Sequence, residues 1–320
     1  MRSLQPKYGT RDYVNDESYP GKTFYVLAAS AAMYPTVAND LRGINDEGVP
    51  MLHNTIASAL SACVANRGDV IKVLPGHTES VSTTITVSVA GVKIVGIGHG
   101  TNRPNLTQAT TGSSGVMTIS AANVWVENIY FTGSATGTNE RFLILTASTA
   151  TYFTAKNCVF EAKSKNLDSV TVNKGCDHIR FIGCEFLGTV AGPDTAIDIL
   201  PMTTSIVDVR IIDCFFDYLT SAGVDDGCIQ VSVSNSATCT RMLIDGCRAM
   251  GLADGEQFVR LSPAAGTTGL VTNCRISAAD ATDVIIVSNL LSVADTMVTQ
   301  PGAYNGGQVL THWPLATPAF

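Results

Sequence analysis

Asp194, Asp226 and Glu256 occupy equivalent places in three successive stretches of the chain, each three residues ahead of an apolar residue that opens a short strand-like run (Ile197, Ile229, Val259). In the stretch before them this place is Leu167, with the carboxylate one residue later at Asp168. Carboxylates repeating once per stacked strand lie about 5 Å apart. That is close to the spacing at which one carboxylate serves as nucleophile and another as acid in retaining glycoside hydrolysis. The same row could hold a cation weakly through oxygen ligands. Against both stands the absence of a matching Arg or Lys cluster, and acidic residues in turns are ordinarily solvated. The expectation is therefore no catalytic group, no cofactor and no metal, with Asp194, Asp226 and Glu256 kept as the alternative site. Cys176-Asp177-His178 offers two ligand types with no further partner nearby, too few for a zinc centre. The Gly-Asp of Arg67-Gly68-Asp69 is explained by a turn between elements, His77 and Glu79 read as structural, and five scattered histidines compose no triad.

What would align these carboxylates is a repeat. In Ile179–Phe186, apolar residues stand five and three places before Cys184, a turn-former precedes it, and Phe186 follows two places on. The pattern recurs around Ile97, Ile129, Cys158, Cys214, Cys247 and Cys274. The turn position reads Gly96, Asn128, Asn157, Gly183, Asp213, Gly246, Asn273, with spacings of 32, 29, 26, 30, 33 and 27 residues. Only Gly, Asn and Asp occur there, the residues that most readily adopt left-handed backbone angles. A second strand precedes each bend, as at Phe142–Leu145, Val170–Val172, Ile197–Ile199, Ile229–Val231, Val259–Leu261 and Ile285–Val287. Short strands stacked at about 4.8 Å make an all-β fold, a single right-handed parallel β-helix. Its interior should carry a cysteine ladder (Cys158, Cys184, Cys214, Cys247, Cys274) beside a phenylalanine ladder (Phe131, Phe160, Phe186, Phe216). Stacked rungs are slightly too far apart for disulfides, so the cysteines read as small buried apolar residues. Trp125 falls between inward residues and should face out.

Asn54 or Thr55 can cap a helix running to about Asn66, with Ile56, Ala59, Leu60, Cys63 and Val64 on one face. Such a helix would cover the open end of a coil that starts at Asp69–Val73. Residues 1–52 read as an extended N-terminal arm, 53–300 as capping helix and β-helix, and 301–320 as a C-terminal tail. The arm carries Tyr8, Tyr13, Tyr19, Phe24, Tyr25 and Tyr34, too aromatic to stay free in water. These six are the expected contacts to a subunit or larger assembly, and residues 1–50 are not expected to be needed to complete the coil.

Charged residues are only 15% and the net charge is −7. A chain so poor in charge implies wide buried contacts, and an acidic one without a basic patch argues against a nucleic-acid partner. The N-terminus lacks the apolar core of a secretory signal. The apolar run Phe24–Met33 is about half a membrane span, so no membrane partner is expected. Nine cysteines without paired spacing suit synthesis in a reducing compartment.

The run TIASALSACVANRGDVIKVLPGHTESV at 55–81 resembles the opening of pectin-lyase-like β-helices. NRGDVIKVLPGHTE, together with GIGHGTNRP at 96–104, is similar to β-helix proteins of tailed bacteriophage particles, namely tailspikes and the trimeric decoration proteins related to them. The likeness covers roughly residues 50–280. It implies a structural protein of the virion, a homotrimer on the capsid surface with the major capsid protein as partner, made in the bacterial host cytoplasm. Three features point to decoration rather than a tailspike: a β-helix filling most of the chain, aromatic arms at both ends, and a surface of small uncharged residues. Gly223-Val224-Asp225-Asp226-Gly227 resembles the double Asp of polygalacturonases. The Gly-His-Gly those enzymes carry after it stands here several coils earlier, at Gly98–Gly100, which weakens that likeness. The alternative is a tailspike-like or secreted glycan-binding β-helix, with or without lyase or hydrolase activity. Glycan grooves usually expose aromatics along one face, and the chain has only two Trp.

Overall fold

The computed structural model describes residues 21–41, 45–46, 49–109, 115–133, 138–146, 148–163, 165–188, 195–201, 203–218, 227–232, 237–252, 257–261, 267–278, 285–286, 291–299 and 308–310. Strands of three to five residues recur because each coil offers only short apolar alternations between turn-formers. Among the described residues they stack into sheets of eleven, eight and ten strands. One coil runs Ile179–Ile182 in the first sheet and Glu185–Gly188 in the third; after Thr195–Leu200 in the second sheet, the chain re-enters the first at Val209–Ile212. The pairings between coils are parallel and in register, for example Ile179↔Val209, Phe186↔Phe216 and Ile197↔Ile229, with shifts at Thr138–Arg141 and between Ala249 and Leu252. This is the right-handed parallel β-helix expected from the repeat.

Both interior ladders are present. Phe131, Phe160, Phe186 and Phe216 stack face to face with centroids 5.1, 5.0 and 4.9 Å apart, and Phe258 closes the column edge-on at 5.6 Å. Stacking at nearly the strand spacing lets every ring keep its contacts without disturbing the ladder of backbone bonds. Cys158, Cys184, Cys214, Cys247 and Cys274 are buried and free. Each thiol points at a carbonyl of the coil before, as Cys184 Sγ to Ala155 O at 3.6 Å and Cys214 Sγ to Phe181 O at 3.6 Å. Burial pushes the thiols of Cys158, Cys184 and Cys214 well above their ordinary pKa.

The bends are left-handed at Asn128, Asn157, Gly183, Asp213, Gly246 and Asn273. Gly96 departs from the expectation: its φ lies outside that region, and the positive angle falls at Gly98 (φ 110°). Glycine is required at 96 for closeness instead. Asn128 Nδ2 donates to both Gly96 O and Gly98 O at 2.8 Å, and a Cβ at 96 would collide with Asn128 O.

Two expectations about the ends are corrected, and one rung inside the expected β-helix is added. The coil begins before Asp69, because Thr23–Val26 pairs in parallel with Val70–Val73 and with Leu52–His53. Phe24, Val26 and Leu27 are fully buried in this extra rung, so Thr23–Leu27 and Leu52, within the expected arm of 1–52, belong to the first coil. The capping helix is shorter than expected, spanning Ile56–Leu60 (α2). Thr55 caps it by accepting from Ser58 N at 3.1 Å. Asp69 Oδ2 then captures Val64 N at 2.7 Å and draws the chain away, leaving Val64 51% exposed rather than on an inward face. At the far end, Leu291–Ala294, Asp295 and Thr296–Thr299 form a further rung in which Thr296 takes the cysteine's place. The tail supplies Gln308–Leu310, an antiparallel strand against Thr296–Val298 that pairs this otherwise open edge.

Candidate functional site

Asp194, Asp226 and Glu256 lie outside the described residues, as do Tyr8, Tyr13 and Tyr19. The register beside the carboxylate row is nevertheless fixed. Asp168 pairs with Thr195 and Gly227 with Gln257, so Asp168 belongs to the column one place after the row. Asp168 is committed internally, accepting from Arg141 Nη2 at 3.1 Å and Nε at 3.2 Å. Among the described residues, no group of three or more His, Cys, Asp or Glu side chains could hold a metal ion.

The remaining arm aromatics have separate fates. Phe24 leaves the set of contact candidates: it is buried edge-on against His53, with centroids 5.7 Å apart. Tyr25 alternates to the outside of the first sheet, between Leu52 and Lys72 in register, half-buried. Burial raises its hydroxyl pKa. Tyr34 opens an eight-residue helix, Tyr34–Leu41 (α1), in which no residue is buried. Tyr34, Val37 and Leu41 share one face by their spacing of three and four, and Met33 just ahead is 53% exposed.

A second ladder of left-handed corners was missed in the sequence. It comprises Asn66, Gly91, Asn123, Tyr152, His178, Asp208 and Arg241. Each of the first six donates its N–H to a carbonyl of the next coil, as Tyr152 N to Asp177 O and His178 N to Val207 O. These bonds hold Tyr152 and His178, and a bond from Arg241 N to Thr268 Oγ1 at 3.2 Å holds Arg241, in a conformation their side chains disfavour. The result is an outward column. Tyr152, 55% exposed, stacks on His178 at 4.4 Å and 9°, and His178 Nδ1 bonds Asp208 Oδ2 at 3.0 Å. Asp208 Oδ1 accepts from Arg210 Nε at 2.9 Å. Burial works to raise the Asp208 carboxyl, and Arg210 and His178 overcome it and hold the group below the ordinary aspartate range. The detectable signal was position: from Gly91 to Arg241, each corner precedes its bend by five residues.

On the third sheet, Tyr130 Oη donates to Glu161 Oε2 at 2.7 Å, and Thr132 and Lys163 join the same carboxylate at 3.1 and 3.3 Å. Burial first, and then Glu161, raise the Tyr130 pKa. Trp125 faces out as expected, but its indole is engaged: Nε1 donates to Glu127 at 3.0 Å and Lys93 Nζ lies 5.0 Å from the ring centre. These outward polar groups therefore bind one another, within a coil or from one coil to the next.

No protein-family model matches the chain, and no curated protein matches it. Among solved structures, the ORF18 protein of Geobacillus virus E2 is similar at 12% identity and a TM-score of 0.45, covering 79% of this chain and 59% of that one. The chain thus spans 59% of the viral protein's length. A rhamnogalacturonan lyase is similar at 11% identity and a TM-score of 0.40, covering 90% of this chain and 89% of the lyase. Likenesses this low say nothing about shared sites.

Proposed function

We propose that the chain is a structural protein of a bacteriophage particle, a homotrimer that decorates the head surface and binds the major capsid protein. The observation that carries this reading is α1. A helix of eight residues is unstable alone in water and depends on packing for its stability. Yet none of its residues is fully buried: the chain itself covers the apolar stripe of Tyr34, Val37 and Leu41 only in part, and Met33 just ahead of it is exposed. A shell or a neighbouring subunit is the natural cover, with Tyr8, Tyr13, Tyr19, Tyr25 and Tyr34 as accompanying contacts. On this reading Asp194, Asp226 and Glu256 are solvated turn residues and no activity depends on them.

The exposed Tyr152 ring favours a second reading, a glycan-binding β-helix. It is the weaker one, because one face of that ring is already taken by His178 and Lys93 covers Trp125. The test mixes particles stripped of decoration with wild-type protein or the Val37→Asp/Leu41→Asp double variant, then sediments them. Wild type should pellet with the shells, and the double variant should stay in solution while melting like wild type. Wild type that never pellets would overturn the capsid role, and a variant that pellets equally would remove α1 as the contact.

A further inference from the structure

On the outside of the third sheet, near the C-terminal end of the coil, a groove of about 280 Å³ is lined by Arg248, Met250, Arg275, Ser277, Met297 and Thr299. Arg248 and Arg275 are register partners on adjacent parallel strands, so their Cα atoms stand about 4.8 Å apart. Both are exposed. Like charges directly opposite each other destabilise a sheet. Elsewhere this chain answers clustered cations with its own acid. Glu127 lies between Lys93 at 3.3 Å and Lys156 at 3.7 Å, and Arg210, the register partner of Arg180, is held by Asp208 at 2.9 Å. Among the described residues, neither Arg248 nor Arg275 has a carboxylate partner. The wall beside them carries two hydroxyls in register, Ser277 and Thr299. Thr299 donates its own proton to Ile276 O at 3.2 Å, which leaves Ser277 as the hydroxyl donor of the groove. Met250, 50% exposed, and Met297 supply apolar edges.

We propose that Arg248 and Arg275 form an oxyanion clamp that takes a carboxylate or phosphate group of an external ligand. Two planar guanidinium forks side by side match the paired oxygens of such a group, which a single lysine would meet only as a point charge. The ligand supplies the negative charge that Glu127 and Asp208 supply at the other cationic clusters. The clamp is independent of shell binding and stands or falls without it.

The test uses full-length protein at low ionic strength, titrated calorimetrically with inorganic phosphate in one arm and a galacturonate oligomer in the other. Saturable binding is expected in at least one arm. It should weaken roughly tenfold or more in Arg248→Gln and Arg275→Gln, weaken also in Arg248→Lys, and stay unchanged in Arg180→Gln. Response to phosphate alone assigns the clamp to phosphoryl groups, response to the oligomer alone assigns it to sugar acids, and both assign it to oxyanions generally. Melts without ligand add a reading that a supporting structural role would not give: removing either charge should raise the melting temperature. No saturable binding in either arm, equal weakening in Arg180→Gln, or a lowered melt in both clamp variants would overturn the proposal.

Discussion

Replacing Cys214 by Asp tests the interior ladder at its centre. The thiol is 1% exposed and points at two carbonyl oxygens, Phe181 O at 3.6 Å and Ile212 O at 3.4 Å. A carboxylate there would meet those two acceptors and the weakly donating thiols of Cys184 and Cys247, with no cation to pair with, so it must take up a proton to stay buried. Holding a proton at pH 7 on a group that ordinarily titrates near 3.9 costs about 1.4 kcal/mol per pH unit, or about 4 kcal/mol. For a domain whose whole stability is on the order of 5–15 kcal/mol, that is severe. The melting temperature should fall by roughly 10 °C. The sign with pH is distinctive. A folded-state pKa raised above the unfolded one leaves no penalty below about pH 4, and the penalty grows as pH rises toward the folded value. The deficit of Cys214→Asp against wild type should therefore shrink as the buffer is taken from pH 7 to pH 4. Cys214→Ala and Cys214→Val should lose no more than about 1.5 kcal/mol. Thermal melts of the four proteins across that range decide it. An Asp variant that melts like wild type at pH 7 would put position 214 in solvent. A large deficit that ignores pH would refute the buried-carboxylate reasoning.

Deleting residues 1–20 should leave the melt unchanged, whereas deleting 1–50 removes Phe24, Val26 and Leu27 from the first rung. At about 1.5–3 kcal/mol each, that loss should appear as a strongly lowered midpoint in urea; equal midpoints would contradict the added rung. Asp69→Ala should cost about 3–5 kcal/mol, because the fully buried carboxylate accepts from Lys22 N, Val64 N and Arg67. Burial opposes the charge, but Arg67 and the two amides hold the Asp69 carboxyl below its ordinary pKa. Its contribution is therefore present above about pH 4 and lost as pH falls through the folded value, so Asp69→Asn should flatten the acid limb of the stability curve. Gly246→Ala should destabilise by about 1–2 kcal/mol, since φ there is 65° and the added Cβ would collide with Asp213 Oδ1; an unchanged denaturation midpoint would contradict it. Asp194→Asn, Asp226→Asn and Glu256→Gln should leave particle binding intact, and polysaccharide turnover that vanishes in Asp226→Asn would favour an enzyme.

The coils were legible where residue type and backbone angle agree. Asn128, Asn157, Asp213 and Asn273 are among the few non-glycine types that accept a left-handed bend, and the Phe and Cys ladders follow from the fixed distance to that bend. The second corner ladder was hidden because Tyr152, His178 and Arg241 are held there by bonds to the next coil, which no local preference betrays. The first rung was hidden by distance: Thr23 meets Val70 after 47 residues, well beyond the 22 to 33 that separate the later strands of the same sheet. The last was hidden by Thr296, whose hydroxyl donates to Ala294 O at 3.1 Å inside the core and so stands in for a thiol. Of the candidate site, the outward direction of Trp125 and the column of Asp168 could be read from alternation. The Arg248–Arg275 groove could not, because its meaning lies in which strands stack and in the acid that is missing beside it among the described residues.

The most direct measurement of the structural role is the ratio of this protein to the major shell protein in purified particles, by quantitative mass spectrometry. A decoration trimer should be present in fixed proportion to shell subunits across the whole head, and stripped particles should regain that proportion when the protein is added back. A few copies per particle, or none, would contradict it.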